Sequence, residues 1–524
     1  MFTLNDLFDK AFEQFADRTL AKFPESDTTL TYAEMDWEAE LVARGLRSLG
    51  IDNEDRIGIY MANVWQNPVA NIGLVRAGGA LVLMNHMLAA DDIAYLLRDS
   101  DARAIFVGEP FVNDIDAIKD DLPELEFLIT TADESALPDD DWYTFEGLQA
   151  RGEDFDGDWR DPTPGDRVMQ PYTSGTTGDP KGLKHTHDNF VQNLYAHLIE
   201  VHVRPGEQLL LVTSLAHSAC AFFWTGLIRG GTCVVTDGFD PEQALSLIET
   251  EDISWTFMVP TVIYNTLDHP AIEETDTSSL DTLVYGAAPM TPERLREGID
   301  AFGDVFVQFY GQAEVPNLIT SLDKADHDPE HKPELLSSCG QETLMSEVKI
   351  VDLEDGTEIT EPDEAGEIVA RASYQMEGYY ELPEKTAETI KDGWVHTGDV
   401  GKFDEDGYVY LLDRTNDVII SGGLNVYTTE VEEVIQEHAA VSQVAVIGVP
   451  DDQWGERVHA VIVPYEDDDI NEDDVIEFAD GQLADYSKPK TVEFREELPL
   501  TPFGKIDKNT LREPYWEEEE RQIS

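Results

Sequence analysis

Tyr172-Thr173-Ser174-Gly175-Thr176-Thr177-Gly178-Asp179-Pro180-Lys181-Gly182 is the most informative stretch of this 524-residue chain. Glycines let backbone N–H groups approach an anion, the hydroxyls of Thr173, Ser174, Thr176 and Thr177 add donors, and Lys181 adds positive charge. Ahead of a helix expected from Asp188, such a loop is built to hold phosphate. A flexible Ser/Gly linker has a similar composition, so the reading needs support from elsewhere in the chain. The loop is not of the Walker type, because Gly182 stands where Ser or Thr must follow the lysine and the spacing from Gly175 differs.

Around this loop, helix-like segments alternate with short apolar runs such as Arg56–Tyr60 and Ala104–Val107. Further runs at Gln208–Val212, Thr232–Val235, Trp255–Val259, Thr282–Tyr285 and Val305–Phe309 read as buried parallel strands. Beyond Gly366 the texture changes to an antiparallel β unit with a turn at Asp404-Glu405-Asp406-Gly407. A last part follows Asp413-Arg414-Thr415-Asn416-Asp417. It reads as a helix near Glu430–His438, strands near Val444–Val449 and Val458–Val463, and a helix near Asn471–Leu483. The expected fold is therefore α/β: a large N-terminal domain of layered α/β subdomains plus a β unit, and a small α+β C-terminal domain.

Five more motifs lie downstream of the loop, in the order Gly286-Ala287-Ala288-Pro289, Gln308-Phe309-Tyr310-Gly311-Gln312-Ala313-Glu314, Thr397-Gly398-Asp399, Asp413-Arg414 and Pro502-Phe503-Gly504-Lys505-Ile506-Asp507-Lys508. On these motifs, and over nearly its whole length, the chain resembles the adenylate-forming superfamily of acyl-CoA synthetases, nonribosomal peptide adenylation domains and luciferases. The resemblance implies residues 1–413 as an AMP- and acyl-binding domain, 414–416 as a hinge, and 417–524 as a mobile lid. It also implies ATP and Mg²⁺ as cofactors, coenzyme A as co-substrate and a small carboxylic acid as partner.

Roles carried by the resemblance have a physical basis residue by residue. Thr173, Ser174, Gly175, Thr176, Thr177, Gly178 and Lys181 would hold ATP phosphates. Glu314, taken alone a solvated loop acid, would ligate the Mg²⁺ that neutralises them. Tyr310, which alone would read as core, offers a face for adenine, with Gly286, Ala287, Ala288 and Pro289 as the opposite wall and Gln308 and Gly311 beside it. Asp399 and Arg414 would hydrogen-bond the ribose. Lys505 would bridge the attacking carboxylate and the α-phosphate, offsetting the repulsion between two anions. His217 corresponds to a histidine near the carboxylate end of the acyl pocket, although a core histidine is the alternative. Ser421, Gly422 and Gly423 would line a channel for the CoA thiol after rotation about Asn416, or else form a plain β-turn. Phe222, Phe223, Trp224, Met258 and Val259 are the expected acyl pocket, apolar enough for a medium- or long-chain fatty acid, with an aryl acid second.

Two departures stand out. Ala313 replaces the family's usual threonine, removing a hydroxyl donor worth about 1 kcal/mol. Asn416 occupies a hinge position where Asp or Lys is commoner. Ala313 also supports a second class of reading, a non-catalytic acyl- or nucleotide-binding homologue. A third reading is an enzyme that loads a separate carrier protein. From the short stretch after Lys505 no fused carrier domain is expected, which favours free CoA.

Composition narrows the setting. The chain holds 108 Asp+Glu against 35 Lys+Arg, a formal charge of −73, yet 41% of its residues are hydrophobic, so it builds real cores. Acids spread along the whole chain point to halophilic adaptation, since molar salt shortens the Debye length to about 3 Å. They also disfavour nucleic acid and anionic lipid as partners. Cys220, Cys233 and Cys339 show no metal or disulfide spacing, and the acidic start at Met1–Asp6 lacks signal-peptide character, so a reduced cytoplasm is expected. The uncharged run Leu209–Ile228 is broken by Thr213, Ser214, His217 and Ser218, which favours a buried strand, loop and helix over a membrane span. His185 and His187 are too sparsely accompanied for a metal site and are expected to lead into a helix cap at Asp188.

Overall fold

The computed structural model describes residues 2–173, 180–451, 454–465, 470–499 and 506–523, with side chains through 516. Ser174, Gly175, Thr176, Thr177, Gly178 and Lys505 lie outside the described residues. The fold is α/β, in a large unit built from the chain up to Val348 together with Ala370–Val395, and a smaller unit built from Lys349–Val369 and the chain from His396 onward.

Two nine-stranded sheets form the large unit. In the first, Phe306–Tyr310, Thr282–Gly286, Trp255–Met258, Gln208–Leu211, Thr232–Val235 and Thr19–Phe23 lie side by side in that order, all parallel. Their apolar runs are almost wholly buried, as expected of strands covered on both faces by crossover helices. In the second, Arg167–Met169, Ala80–Leu83, Arg56–Tyr60, Ala104–Val107, Phe127–Thr130 and Trp142–Thr144 are parallel neighbours in that order, and Lys181–Thr186 pairs antiparallel with Arg167–Met169.

The run 209–228 folds as strand Gln208–Leu211, a loop and helix Ser218–Ile228. Among the described residues no helix is long and apolar enough to cross a membrane. The helix expected from Asp188 spans His187–Glu200, and its cap is Thr186, whose hydroxyl accepts from Asn189 N in a reciprocal capping box. Asp188 therefore sits inside the first turn. His185 and His187, the expected lead-in, are fully buried.

The smaller unit contains the antiparallel pairing of 399–403, from strand Trp394–Phe403, with Val409–Arg414, turned by Gly407 at φ +84°. It also contains the sheet Leu424–Val426, Ile419–Ser421, Gly455–Pro464, Val441–Asp451, with Thr491–Phe494 paired to Gly455–Pro464. Helices Thr428–Gln436 and Glu472–Ala479 cover it, burying Val431, Ile435, Val475 and Ala479.

Four buried histidines, His185, His187, His197 and His327, are held neutral because burial penalises the cation. The first two and His327 are pushed down to about 4, and His197 to about 3. The unfolded chain binds protons at these positions near pH 6.5, whereas the folded chain does not. Their contribution is therefore present above pH 6.5 and is lost as pH falls towards 4, at about 1.4 kcal/mol per pH unit per histidine. Urea unfolding at constant high KCl should accordingly show stability declining between pH 7.5 and 5.5. His327→Gln should make that decline shallower; an equal slope in the two proteins would refute the assignment.

Candidate active site

Four neighbouring parallel strands end at one edge of the first sheet, and each delivers residues singled out in the sequence. Gln208–Leu211 leads to His217, Trp255–Met258 to Val259, Thr282–Gly286 to Ala287-Ala288-Pro289, and Phe306–Tyr310 to Gly311–Glu314. The carboxyl edge of a parallel sheet is where ligands bind in open α/β folds. Gly286 pairs with Phe309, and a Cβ at 286 would lie 2.5 Å from the Phe309 carbonyl oxygen, so glycine is needed for the two strands to pair this closely. Ala287 then turns with φ +67°, leaving Ala287, Ala288 and Pro289 exposed beside the mostly buried Tyr310. Gln308 is half-buried, its side-chain oxygen 3.4 Å from the Tyr285 hydroxyl.

Three contacts hold the Gly311–Glu314 segment. His185 Nε2 lies 2.8 Å from the Ala313 carbonyl oxygen, which makes it the protonated nitrogen of a neutral ring. The Glu314 carbonyl accepts from Met376 N at 2.8 Å, and the Tyr379 hydroxyl donates to Glu314 Oε1 at 2.8 Å. Burial and the Glu314 charge both push the Tyr379 hydroxyl upward, so it stays a donor. His185 was read in the sequence only as a lead-in to the helix cap, and Tyr379 was missed. Strand alternation, which sets His185 on the buried side with Leu183, was the available signal for the first.

His217 is exposed at the N-terminus of helix Ser218–Ile228, which removes the core-histidine alternative. Its Nε2 is 3.3 Å from Asn85 Nδ2, and Asn85 Oδ1 accepts from Met87 N. Of the phosphate loop, Thr173 and Lys181 are described. They face each other across an antiparallel pair, while Tyr95 donates to the Pro180 carbonyl at 2.9 Å.

The expected acyl residues are used differently from one another. Successive helix positions point about 100° apart, so Phe222, Phe223 and Trp224 cannot share one wall. Phe222 packs 4.9 Å from Phe257 and 5.0 Å from the His197 ring, and Trp224 sits between Phe8 and Phe190 at 5.6 and 5.7 Å. Phe223 and Met258 are buried as well. These four are packed within the core, and Val259, half-buried at the strand exit, is the one with an open side.

In the smaller unit, Asp399 and Arg414 are direct cross-strand partners, with Arg414 Nε 2.7 Å from Asp399 Oδ1. Gly398 takes φ +69° so that its N–H reaches Glu367 Oε1 at 3.1 Å, and Thr397 Oγ1 donates to the Ile368 carbonyl at 2.6 Å. Asn416 is exposed. On either side of it, Asp413 accepts from Thr428 Oγ1 at 3.1 Å and Arg512 pairs with Asp417 at 2.7 Å. Burial raises the Asp413 carboxyl, an effect the nearby Lys508 partly offsets. Gly422 and Gly423, at φ +62° and +84°, form the two-residue turn between Ser421 and Leu424. A Cβ at 422 would also meet the Trp454 ring at 2.7 Å.

A cation at Glu314 fits what is present. One carboxylate oxygen is held by Tyr379, and among the described residues no set of three or more His, Cys, Asp or Glu gathers as a metal cage. Mg²⁺ in nucleotide sites is usually held by one or two carboxylates, substrate phosphates and water.

Comparison with known proteins gives the same picture. Residues 8–380 match the family described as AMP-binding enzyme, and residues 430–505 match the AMP-binding enzyme C-terminal domain. Medium/long-chain-fatty-acid–CoA ligase FadD8 of Mycobacterium tuberculosis is 35% identical over 94% of this chain and 86% of its own length. Feruloyl-CoA synthase of an Amycolatopsis species is 34% identical over 93% and 94%. The crystal structure of ATP-bound MatB from Rhodopseudomonas palustris superposes with TM-score 0.86 at 28% identity, covering 98% of this chain and 99% of that one. With the family's main and C-terminal models matching in order over residues 8–380 and 430–505, the chain belongs to the AMP-binding enzyme family.

Proposed function

We propose that this protein is an AMP-forming acid–thiol ligase. A carboxylate oxygen attacks the α-phosphate of ATP and expels pyrophosphate, giving an acyl-adenylate. The thiol of coenzyme A then attacks the acyl carbon, and AMP leaves as the acyl-CoA forms. The observation that carries this reading is the delivery of His217, Val259, Ala287–Pro289 and Tyr310–Glu314 to one edge of a parallel sheet.

Within this proposal Glu314, steadied by Tyr379, would hold Mg²⁺, which would supply charge neutralisation for the phosphates. Gly286–Pro289 and Tyr310 enclose adenine, with Gln308 and Gly311 adjoining. Thr173 and Lys181 flank the loop that faces the phosphates, Asp399 and Arg414 take the ribose, and His217 faces the acyl carboxylate. Lys505 bridges carboxylate and α-phosphate. The acyl tail enters past Val259, with Phe222, Phe223, Trp224 and Met258 forming the packed layer behind. A medium- or long-chain fatty acid is the preferred substrate. The similarity to feruloyl-CoA synthase favours an aryl acid as the second reading.

Rotation of residues 417–524 about Asn416 would bring Gly422 and Gly423 to the thiol. Such a rotation has to break the Asp413–Thr428 hydrogen bonds, at about 1–3 kcal/mol, which sets the balance between the two positions. Some of the sparse cations are shared among several acids: Lys119 pairs with Asp116, Asp139 and Asp141, and Arg76 with Asp9, Asp36 and Glu40. That pattern supports a halophilic cytoplasmic enzyme whose excess charge is screened by salt.

Acid-dependent pyrophosphate release in high KCl tests the reaction. Lys505→Ala should lower its kcat by about 100-fold or more while leaving thioester formation from preformed acyl-adenylate intact. Loss of both steps together, or of neither, would sink the assigned role. Tyr379→Phe should raise the Mg²⁺ concentration needed for half-maximal rate by about tenfold, with the KM for the acid unchanged; an unaltered Mg²⁺ requirement would show that Tyr379 does not steady the metal-binding carboxylate. Raising KCl from 0.2 to about 2 M should increase the melting temperature by screening like charges, and a fall would count against the halophilic reading.

A further inference from the structure

Behind the sheet edge lies a chain of side-chain hydrogen bonds whose direction can be worked out proton by proton. Thr225 Oγ1 is 2.8 Å from the Ala221 carbonyl oxygen, one turn back on helix Ser218–Ile228, and commits its single proton there. His197 Nδ1 is 3.1 Å from the same Oγ1. Because that hydroxyl has no second proton, Nδ1 carries the hydrogen and donates. Nε2 of the neutral ring is then an acceptor, 3.1 Å from Asn317 Nδ2. The Asn317 amide therefore turns its Oδ1 to Ser218, whose hydroxyl donates across 3.0 Å. Ser218 starts the chain as a donor, Asn317, His197 and Thr225 each receive one proton and give one, and the polarity of the whole is set at Thr225.

The surroundings keep the chain in this state. His197 and Thr225 are fully buried, and the imidazole stacks on Phe222 at 5.0 Å. Asn317 adopts φ +63°, and its backbone comes within 2.4 Å of where a Cβ on Gly311 would stand, so it is wedged against the strand exit that carries Glu314. Ser218 follows His217 directly. The Ser218 end of the chain thus sits beside His217, and Asn317, the next member, lies against the strand exit that carries Glu314, while Thr225 anchors the far end in the core.

We propose that Thr225, His197 and Asn317 form a positioning relay that locks Ser218, and with it the His217 end of its helix, to the strand exit carrying Glu314. The proposal rests on the ligase reading for its purpose, whereas its polarity is a property of the folded chain alone. None of the three is among the residues assigned to substrate, and His197 and Thr225 are fully buried. Their effect is to hold two reacting regions in register, where a shift of about 1 Å can cost 100-fold in rate.

The test is nitrogen-15 NMR of the full-length protein with labelled histidine at pH 7.5, the His197 signals being assigned by their absence in His197→Gln. Acid-dependent pyrophosphate release is measured on the same samples. The native ring should carry its proton on Nδ1. Thr225→Val keeps the shape but removes the acceptor, so the proton should move to Nε2 and the Asn317 amide should turn over. The kcat should then fall about tenfold, with the KM for ATP unchanged. Thr225→Ser should retain both the tautomer and a rate within about twofold of native. A native ring protonated on Nε2, a valine variant with an unmoved proton, or a moved proton with native kcat would each overturn the relay. Native protein that releases no pyrophosphate with any acid would instead overturn the ligase reading, and the ring's proton would still decide the polarity.

Discussion

The close pairing of strands Thr282–Gly286 and Phe306–Tyr310 is the constraint on which the candidate site depends. Their register brings Gly286 against Phe309, where the carbonyl oxygen would lie only 2.5 Å from any Cβ. A side chain at 286 would force the strands apart and with them the exits that carry Ala287–Pro289 and Gly311–Glu314. Since the strands on the far side of Thr282–Gly286 are parallel too, the displacement would pass to Met258 and on to the segment leading to His217. One absent side chain thus fixes the spacing of an entire edge.

Several polar groups inside the large unit are met by neutral partners. The chain is poor in cations, and histidine takes up part of the work of satisfying interior acceptors and donors. His185 serves the Ala313 carbonyl, His197 serves Thr225 and Asn317, and His327 lies 3.0 Å from the Tyr285 hydroxyl. Neutral imidazole can both donate and accept, so it joins elements without the desolvation cost of burying a charge. The same choice makes the fold sensitive to acid.

The smaller unit follows a different rule, placing charge inside with compensation. Lys508 Nζ is 2.7 Å from Thr428 Oγ1 and 2.7 Å from Glu432 Oε1, and Thr428 in turn bonds Asp413. Burial raises both Asp413 and Glu432, and Lys508 offsets part of that cost. Breaking such a cluster by removing one partner leaves a buried charge uncompensated, which is why residues flanking Asn416 are held firmly although Asn416 itself is exposed.

Much of the fold was legible because parallel strands buried on both faces must be continuous apolar runs; the five runs read between Gln208 and Phe309 are all strands of one sheet. The helix cap was misplaced by two residues, since Thr186 and Asp188 are both capable caps and only the reciprocal bond with Asn189 decides between them. The motif residues were legible as types, since phosphate, metal and ribose each demand particular chemistry. What lay beyond the sequence was direction. Phe222 and Trp224 looked like pocket walls until the helix turned them into packing, and His185, Tyr379 and Asn317 looked ordinary until contacts 128, 65 and 120 positions away gave them partners. Local composition and periodicity determine which elements form and what chemistry they can offer; which side chains meet is decided by strand order and register, a property of the folded sheet that no single segment contains.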